Sequence, residues 1–163
     1  MAAGNNYSID TSALVDWWVR YYPPSVFKGL VPRVEKLIDD GRLRASREVR
    51  EEIDGKSDAL RDWGKAQDGL WVDSSEDIQA VVARLMGQYF NPEKPDKGIG
   101  AADPFVIALA AIQNPVPWVV VTGEKPGSHE NPKIPWVCRH FQPEPIRTIS
   151  FLQLIVEEGW ELN

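Results

Sequence analysis

The chain is poor in the residues that the commoner site chemistries need. It has one cysteine, Cys138, in 163 residues. No disulfide can form within the chain, which suits a reducing compartment. It has two histidines, His129 and His140. With Cys138 they are too few, and wrongly spaced, for a standard structural zinc site. Positive charge is also short, with 18 Lys and Arg against 24 Asp and Glu and a net charge of −6. So acidic a chain is not a general binder of nucleic acid. Such contact needs a local basic patch, or a metal that inverts the sign of the site. No apolar run approaches the ~18 residues of a membrane span. No basic, apolar leader precedes the first strand, where Asn5 and Asn6 stand. These absences point to a cytoplasmic protein with no membrane partner.

What is present is a core. Hydrophobic residues make up 43% of the chain and seven are tryptophan. That is enough for one domain over residues 1–163, with its core about 7–151. "NYSID" reads as a short strand running into Asp10, and "TSALVDWWV" as a helix that Thr11 or Ser12 can cap. "SVFKGLVPRVEKLIDDG" carries Val26, Leu30, Val34, Leu37 and Ile38 at helical spacing, with Pro32 as a fault and Gly41 as the stop. "RLRAS" and "GLWVD" read as strands. "REVREEIDG", "SDALRDWGKA" and "SSEDIQAVVARLMGQYF" read as helices. "AADPFVIALAAIQ" is an apolar helix, "WVVVT" a continuously apolar strand, and "SFLQLIVEEG" a helix opened by a capping box of Ser150 and Gln153. Strands alternating with helices predict an α/β/α sandwich with a mostly parallel sheet. Ligands bind beyond the carboxyl ends of such strands, where Asp10 and Glu124 both fall.

Each acidic candidate has a plainer role open to it. Asp10 can cap the helix after it, and Asp103, followed by proline, reads equally well as an N-cap. Glu48, Glu51 and Glu52 share a helix whose buried stripe is Val49 and Ile53; Glu52 flanks that stripe while Glu51 points away. A solvated acidic face accounts for any one of the three. Glu124 alone is a turn residue before Lys125 and Pro126.

Taken in order, "YSIDTSALVD", "SREVREEI", "GIGAADPFVIALAA" and "VVVTGEK" resemble the PIN-domain nucleases, which include the ribonuclease toxins of toxin–antitoxin pairs. "NPKIPWVCRHF" is similar to an uncharacterised PIN-like branch, and the likeness runs from about Tyr7 to Phe151. The resemblance implies a three-layer fold and a metal-dependent ribonuclease that hydrolyses RNA phosphodiester bonds. It makes Asp10, Glu52 and Asp103 the metal carboxylates. Glu124 stands where the family more often has aspartate, and its extra methylene would let it bind through a water or reach a second metal. Ser12 and Thr122 would serve a carboxylate or phosphate at the same edge. An antitoxin protein and a homodimer are the implied partners. Converging carboxylates repel one another, and a divalent cation resolves the repulsion. All-oxygen ligation suits Mg²⁺ or Mn²⁺.

Lys125, Lys133, Arg139 and Arg147 gather after the last core strand, interleaved with Trp136 and Phe141. They read either as an RNA-backbone contact through Lys125 and Arg139 or as a long loop stapled by its aromatics. Trp17 and Trp18, with Tyr21 and Tyr22 after them, do not readily both face one core, since adjacent helical residues point ~100° apart; they read either as part of a dimer or antitoxin groove or as ordinary partly buried residues. Two other functions compete. One is a degenerate PIN-like module that binds RNA or protein without cutting. The other is an aspartyl-phosphate phosphohydrolase using Asp10, which would need an aspartate where Ser12 stands.

Overall fold

The computed structural model describes residues 4–161. Five strands form one parallel sheet: β1 (Tyr7–Ile9), β2 (Leu43–Ser46), β3 (Trp71–Val72), β4 (Val119–Val121) and β5 (Thr148–Ile149), in the order β3-β2-β1-β4-β5. β1 is central, in register with Leu43 on one side and Val119 on the other through Tyr7. Three consecutive valines suit β4, because a central parallel strand is buried on both faces. The chain order reverses between β1 and β4. That reversal opens a crevice at the carboxyl ends of the two strands.

The helices are α1 (Thr11–Val15), α2 (Leu30–Asp39), α3 (Arg47–Ile53), α4 (Asp58–Lys65), α5 (Glu76–Tyr89), α6 (Asp103–Ala111), α7 (Ile134–Arg139) and α8 (Phe151–Glu157). Helices cover both faces of the sheet, the expected α/β/α sandwich. α6 lies across β1, β2 and β4, and α5 packs on its outer side. Its buried run of Val106, Ile107, Ala108, Leu109 and Ala110 explains why no amphipathic pattern marks it in the sequence. The capping box of α8 forms as expected, with Ser150 Oγ accepting from Gln153 N–H and Gln153 Oε1 from Ser150 N–H.

Several local expectations give way. The first long helix changes after Val15 into a π-helical segment, Asp16–Tyr21. Within it Trp17 is buried and stacks on Phe151, with Trp63 and Trp18 edge-on to it. Trp18 is half-buried and Tyr21 is exposed. The cap of α1 is Asp10 itself, whose Oδ1 accepts from Thr11 N–H, and neither Thr11 nor Ser12 fills that role. Pro32 is no fault in α2: it sits in the first turn, where its missing N–H has no partner to lose. Val26 falls before α2 and is exposed. The "NPKIPWVCRHF" segment, read as a stapled loop, contains α7, with Pro135 in the helix's first two positions, where proline is tolerated. β5 was not foreseen, since two residues are too few to show alternation.

Candidate active-site cleft

A cleft of about 550 Å³ opens over the crevice between β1 and β4. Asp10, Glu52, Asp103 and Glu124 all line it, together with Thr11, Ser12, Arg20 and Lys56. The four carboxylates come from four separate segments: the end of β1, the last turn of α3, the first residue of α6 and the turn after β4. Among the described residues none of the four forms a salt bridge.

Asp10 is buried, and its backbone N–H continues the sheet ladder to Val121 O. Its Oδ2 accepts from Ser12 Oγ at 2.6 Å and Thr122 Oγ1 at 3.0 Å. Ser12 Oγ in turn accepts from Gly123 N–H at 2.8 Å, and Thr122 Oγ1 from Glu124 N–H at 3.1 Å. The hydroxyls thus tie the carboxylate after β1 to the turn after β4. Loss of water around it is the main reason that Asp10 titrates near 6; the hydrogen bond from Ser12 opposes this, and the charge of Glu124 adds to it.

Asp103 is the first helical residue of α6, with Ala102 at the cap position, so it is not the N-cap that its sequence context allows. Its Oδ2 accepts from Gly100 N–H at 3.3 Å. The approach is tight: Ala101 has φ of +51°, a left-handed conformation unusual for a residue with a Cβ. Burial, then the charges of Glu124 and Asp10, push Asp103 up to about 8. Glu52 is half-buried as its place beside the Val49–Ile53 stripe predicts, while Glu51 is exposed. Its Oε1 accepts from Thr11 Oγ1 at 2.5 Å and its Oε2 from Ala102 N–H at 3.5 Å. Glu48 points one carboxylate oxygen into the protein without a partner, and desolvation raises its pKa.

Glu124 answers the question of its extra methylene. Its Oε2 accepts from Ile134 N–H at 3.1 Å, the first amide of α7. One oxygen therefore fixes α7 while the residue still lines the cleft. Among the described residues no three His, Cys, Asp or Glu side chains are gathered closely enough to hold a metal ion. The four carboxylates rim a common cleft, each already held by an internal donor, and do not converge on one point.

The other predicted residues divide. Ser12 lines the cleft and Thr122 supports it from below. Lys125 is exposed and Arg139 lies elsewhere, in a groove with Trp136 and Arg147 beside β5. His129 and His140 flank the Trp136 ring and are not in the cleft. Sequence reasoning missed Thr11, Arg20 and Lys56. Thr11 lies within the first motif and was read only as a cap. Arg20 and Lys56 had no signal, because a π turn and a helix-ending turn bring them to the rim.

The crystal structure of VapBC2 from Rickettsia felis bound to a DNA fragment from their promoter contains a chain of similar fold. The TM-score is 0.50 at 14% identity, covering 88% of this chain and 97% of that one. The likeness bears out the PIN-like architecture. No curated protein matches the chain. Among the described residues no helix is long and apolar enough to cross a membrane. A family profile described as a domain of unknown function, DUF4411, matches residues 7–162, and the chain belongs to that family.

Proposed function

We propose that this protein is a divalent-cation-dependent endoribonuclease and the toxin of a toxin–antitoxin pair. The observation that carries the reading is that four carboxylates, from four separated segments, line one cleft and that among the described residues no cation is paired to any of them. A structural cluster would be neutralised by the protein's own arginines. This one leaves its charge to an exogenous cation. The antitoxin reading is supported by the fold shared with a chain of a toxin–antitoxin assembly.

Asp10, Glu52 and Asp103 would hold Mg²⁺ or Mn²⁺, with Glu124 acting through its remaining oxygen. The all-oxygen donor set fits these hard cations. Such a cation, when bound, activates water and neutralises charge on a phosphate. The chain's own residues set up that site. Ser12 and Thr122 orient Asp10, Thr11 orients Glu52, and Gly100 N–H orients Asp103. Asp103 keeps its proton near neutral pH. Cation uptake must therefore release a proton, and should tighten as pH rises toward 8.

The test is calorimetry with Mn²⁺ and Mg²⁺ on the wild type, Asp10→Asn and Asp103→Asn, with RNA cleavage followed in the same samples. Wild-type uptake and cutting, lost together in both variants, supports the nuclease. A second reading is a PIN-like module that binds RNA or protein without cutting. The capping of α7 by Glu124, and a cleft whose carboxylates are not gathered for a metal, favour it. RNA binding without cation uptake would establish that reading in place of the first.

A further inference from the structure

The acidic cleft contains one cationic side chain that the structure anchors. Arg20 lies on the π segment and lines the cleft beside the four carboxylates. Its Nη1 donates to Asp16 Oδ1 at 3.3 Å, its one hydrogen bond among the described residues. A guanidinium has five N–H donors, so most of the fork is left for another acceptor. The Arg20 side chain is 57% exposed, whereas that of Asp16 is only 13% exposed.

Asp16 is held unusually closely for half of a helix-surface pair. Its Oδ2 lies over Gly123, where a Cβ would come within 2.3 Å of it. Gly123 is also the residue whose N–H ties Ser12 to the turn after β4. Asp16 is therefore packed between Arg20 and the turn that carries Thr122 and Glu124. Exposed i,i+4 pairs contribute little and do not require a buried carboxylate. Burying one is worthwhile where a cation must stand in a fixed place, and π turns are often retained at such sites. Among the described residues the other arginine ion pairs (Arg42–Glu158, Arg47–Asp73, Arg61 with Asp58 and Asp62, and Arg147–Glu157) involve no residue of the cleft.

We infer that Arg20 anchors a backbone phosphate of the single-stranded nucleic acid that enters the cleft, and that Asp16 is its positioning residue. This rests on the nuclease reading and adds the group that grips the strand. Arginine suits the task, because its planar fork matches phosphate oxygens and keeps its charge beside carboxylates.

The experiment is fluorescence anisotropy of a labelled single-stranded RNA of about a dozen nucleotides, in EDTA so that no cutting occurs, across a salt series. Thermal unfolding and Mn²⁺ calorimetry are run on each variant. Arg20→Ala should weaken binding roughly 5–10-fold at low salt and reduce the slope of log K against log salt by about 0.7, one single-strand phosphate contact. Arg20→Lys should keep most of the slope. Asp16→Asn should weaken binding while leaving the slope nearly whole. Lys65→Ala, an equal charge change at an exposed position on α4, should leave both unchanged. An unchanged slope in Arg20→Ala, an equal loss in Lys65→Ala, or no RNA binding by the wild type at low salt overturns the inference. The two readings fail separately. Cation uptake with no effect of Arg20→Ala removes the anchor alone; a normal Arg20 effect without cation uptake removes the nuclease alone.

Discussion

The two ends of the central strands use acidic residues in opposite ways. At the amino end, Glu158 accepts both Arg42 Nη1 at 2.8 Å and Nη2 at 2.6 Å, and also the Tyr7 hydroxyl at 2.5 Å. Glu157 pairs with Arg147 and Asn5. Its pKa is lowered, first by the Arg147 hydrogen bond. At the carboxyl end, Asp10 and Asp103 are raised to about 6 and about 8, because burial there comes with more carboxylates and no arginine partner. The same residue type is an ion-paired strut at one end and, among the described residues, a carboxyl group without a cationic partner at the other. A charge the protein has already met is structural; one it leaves unmet is available to a ligand.

The largest test of this contrast is Asp103→Asn. RNA cleavage should fall by about 10²–10⁴-fold, as when a positioned charged or acid–base group is removed. Yet the cation-free protein should gain roughly 1–2 kcal/mol at pH 8, measured by urea unfolding, because a costly buried charge has gone. Reduced activity with reduced stability would make Asp103 a strut like Glu158.

Arg42→Ala should do the reverse. It leaves Glu158 partly buried without its guanidinium and should cost about 2–4 kcal/mol. Cation uptake in the remaining folded protein should be unchanged. A cost below 1 kcal/mol would erase the contrast from the other side.

The pH dependence of stability follows the carboxyl end. Unfolded, Asp103 holds its proton only below its ordinary value of 3.8; folded, it holds it to about 8. Across that window the folded state binds more protons, so cation-free stability falls as pH rises from about 4 to about 8. Asp10 adds the same slope between 3.8 and about 6. Saturating Mn²⁺ should flatten the fall, by stabilising the ionised folded state. Denaturation midpoints over pH 5–8, with EDTA or Mn²⁺, check this; a rise with pH in EDTA would contradict it.

The smallest effect belongs to Glu124→Asp. The shorter side chain should lose the bond to Ile134 N–H and cost about 0.5–1 kcal/mol, comparable with loss of a helix cap. If cation affinity is unaffected while stability drops, Glu124 is a strut that happens to line the cleft. If affinity also falls, it belongs to both ends of the comparison.

Much of this was written in local sequence. The triple valine of β4 needed a buried parallel strand, and Ser150 with Gln153 marked the start of α8, since both signals depend only on neighbours along the chain. The stripe of Val49 and Ile53 was enough to choose Glu52 over Glu51. The order of the acidic motifs carried the family resemblance and with it the four residues of the cleft. Other features depend on contacts between distant segments. Asp16 and Arg20 look like an ordinary helix pair until Gly123 closes over the carboxylate. α7 looks like a proline-rich loop until Glu124 supplies its first amide with an acceptor. Asp103 reads as a cap until Ala101 turns left-handed and Ala102 takes that position. Sequence determined most of the elements and which carboxylates would line one cleft, because periodicity, capping and motif order act along the chain. Only the tertiary structure decided which charges are neutralised, because neutralisation depends on which distant segments the pairing of β1 with β4 brings within a few ångströms.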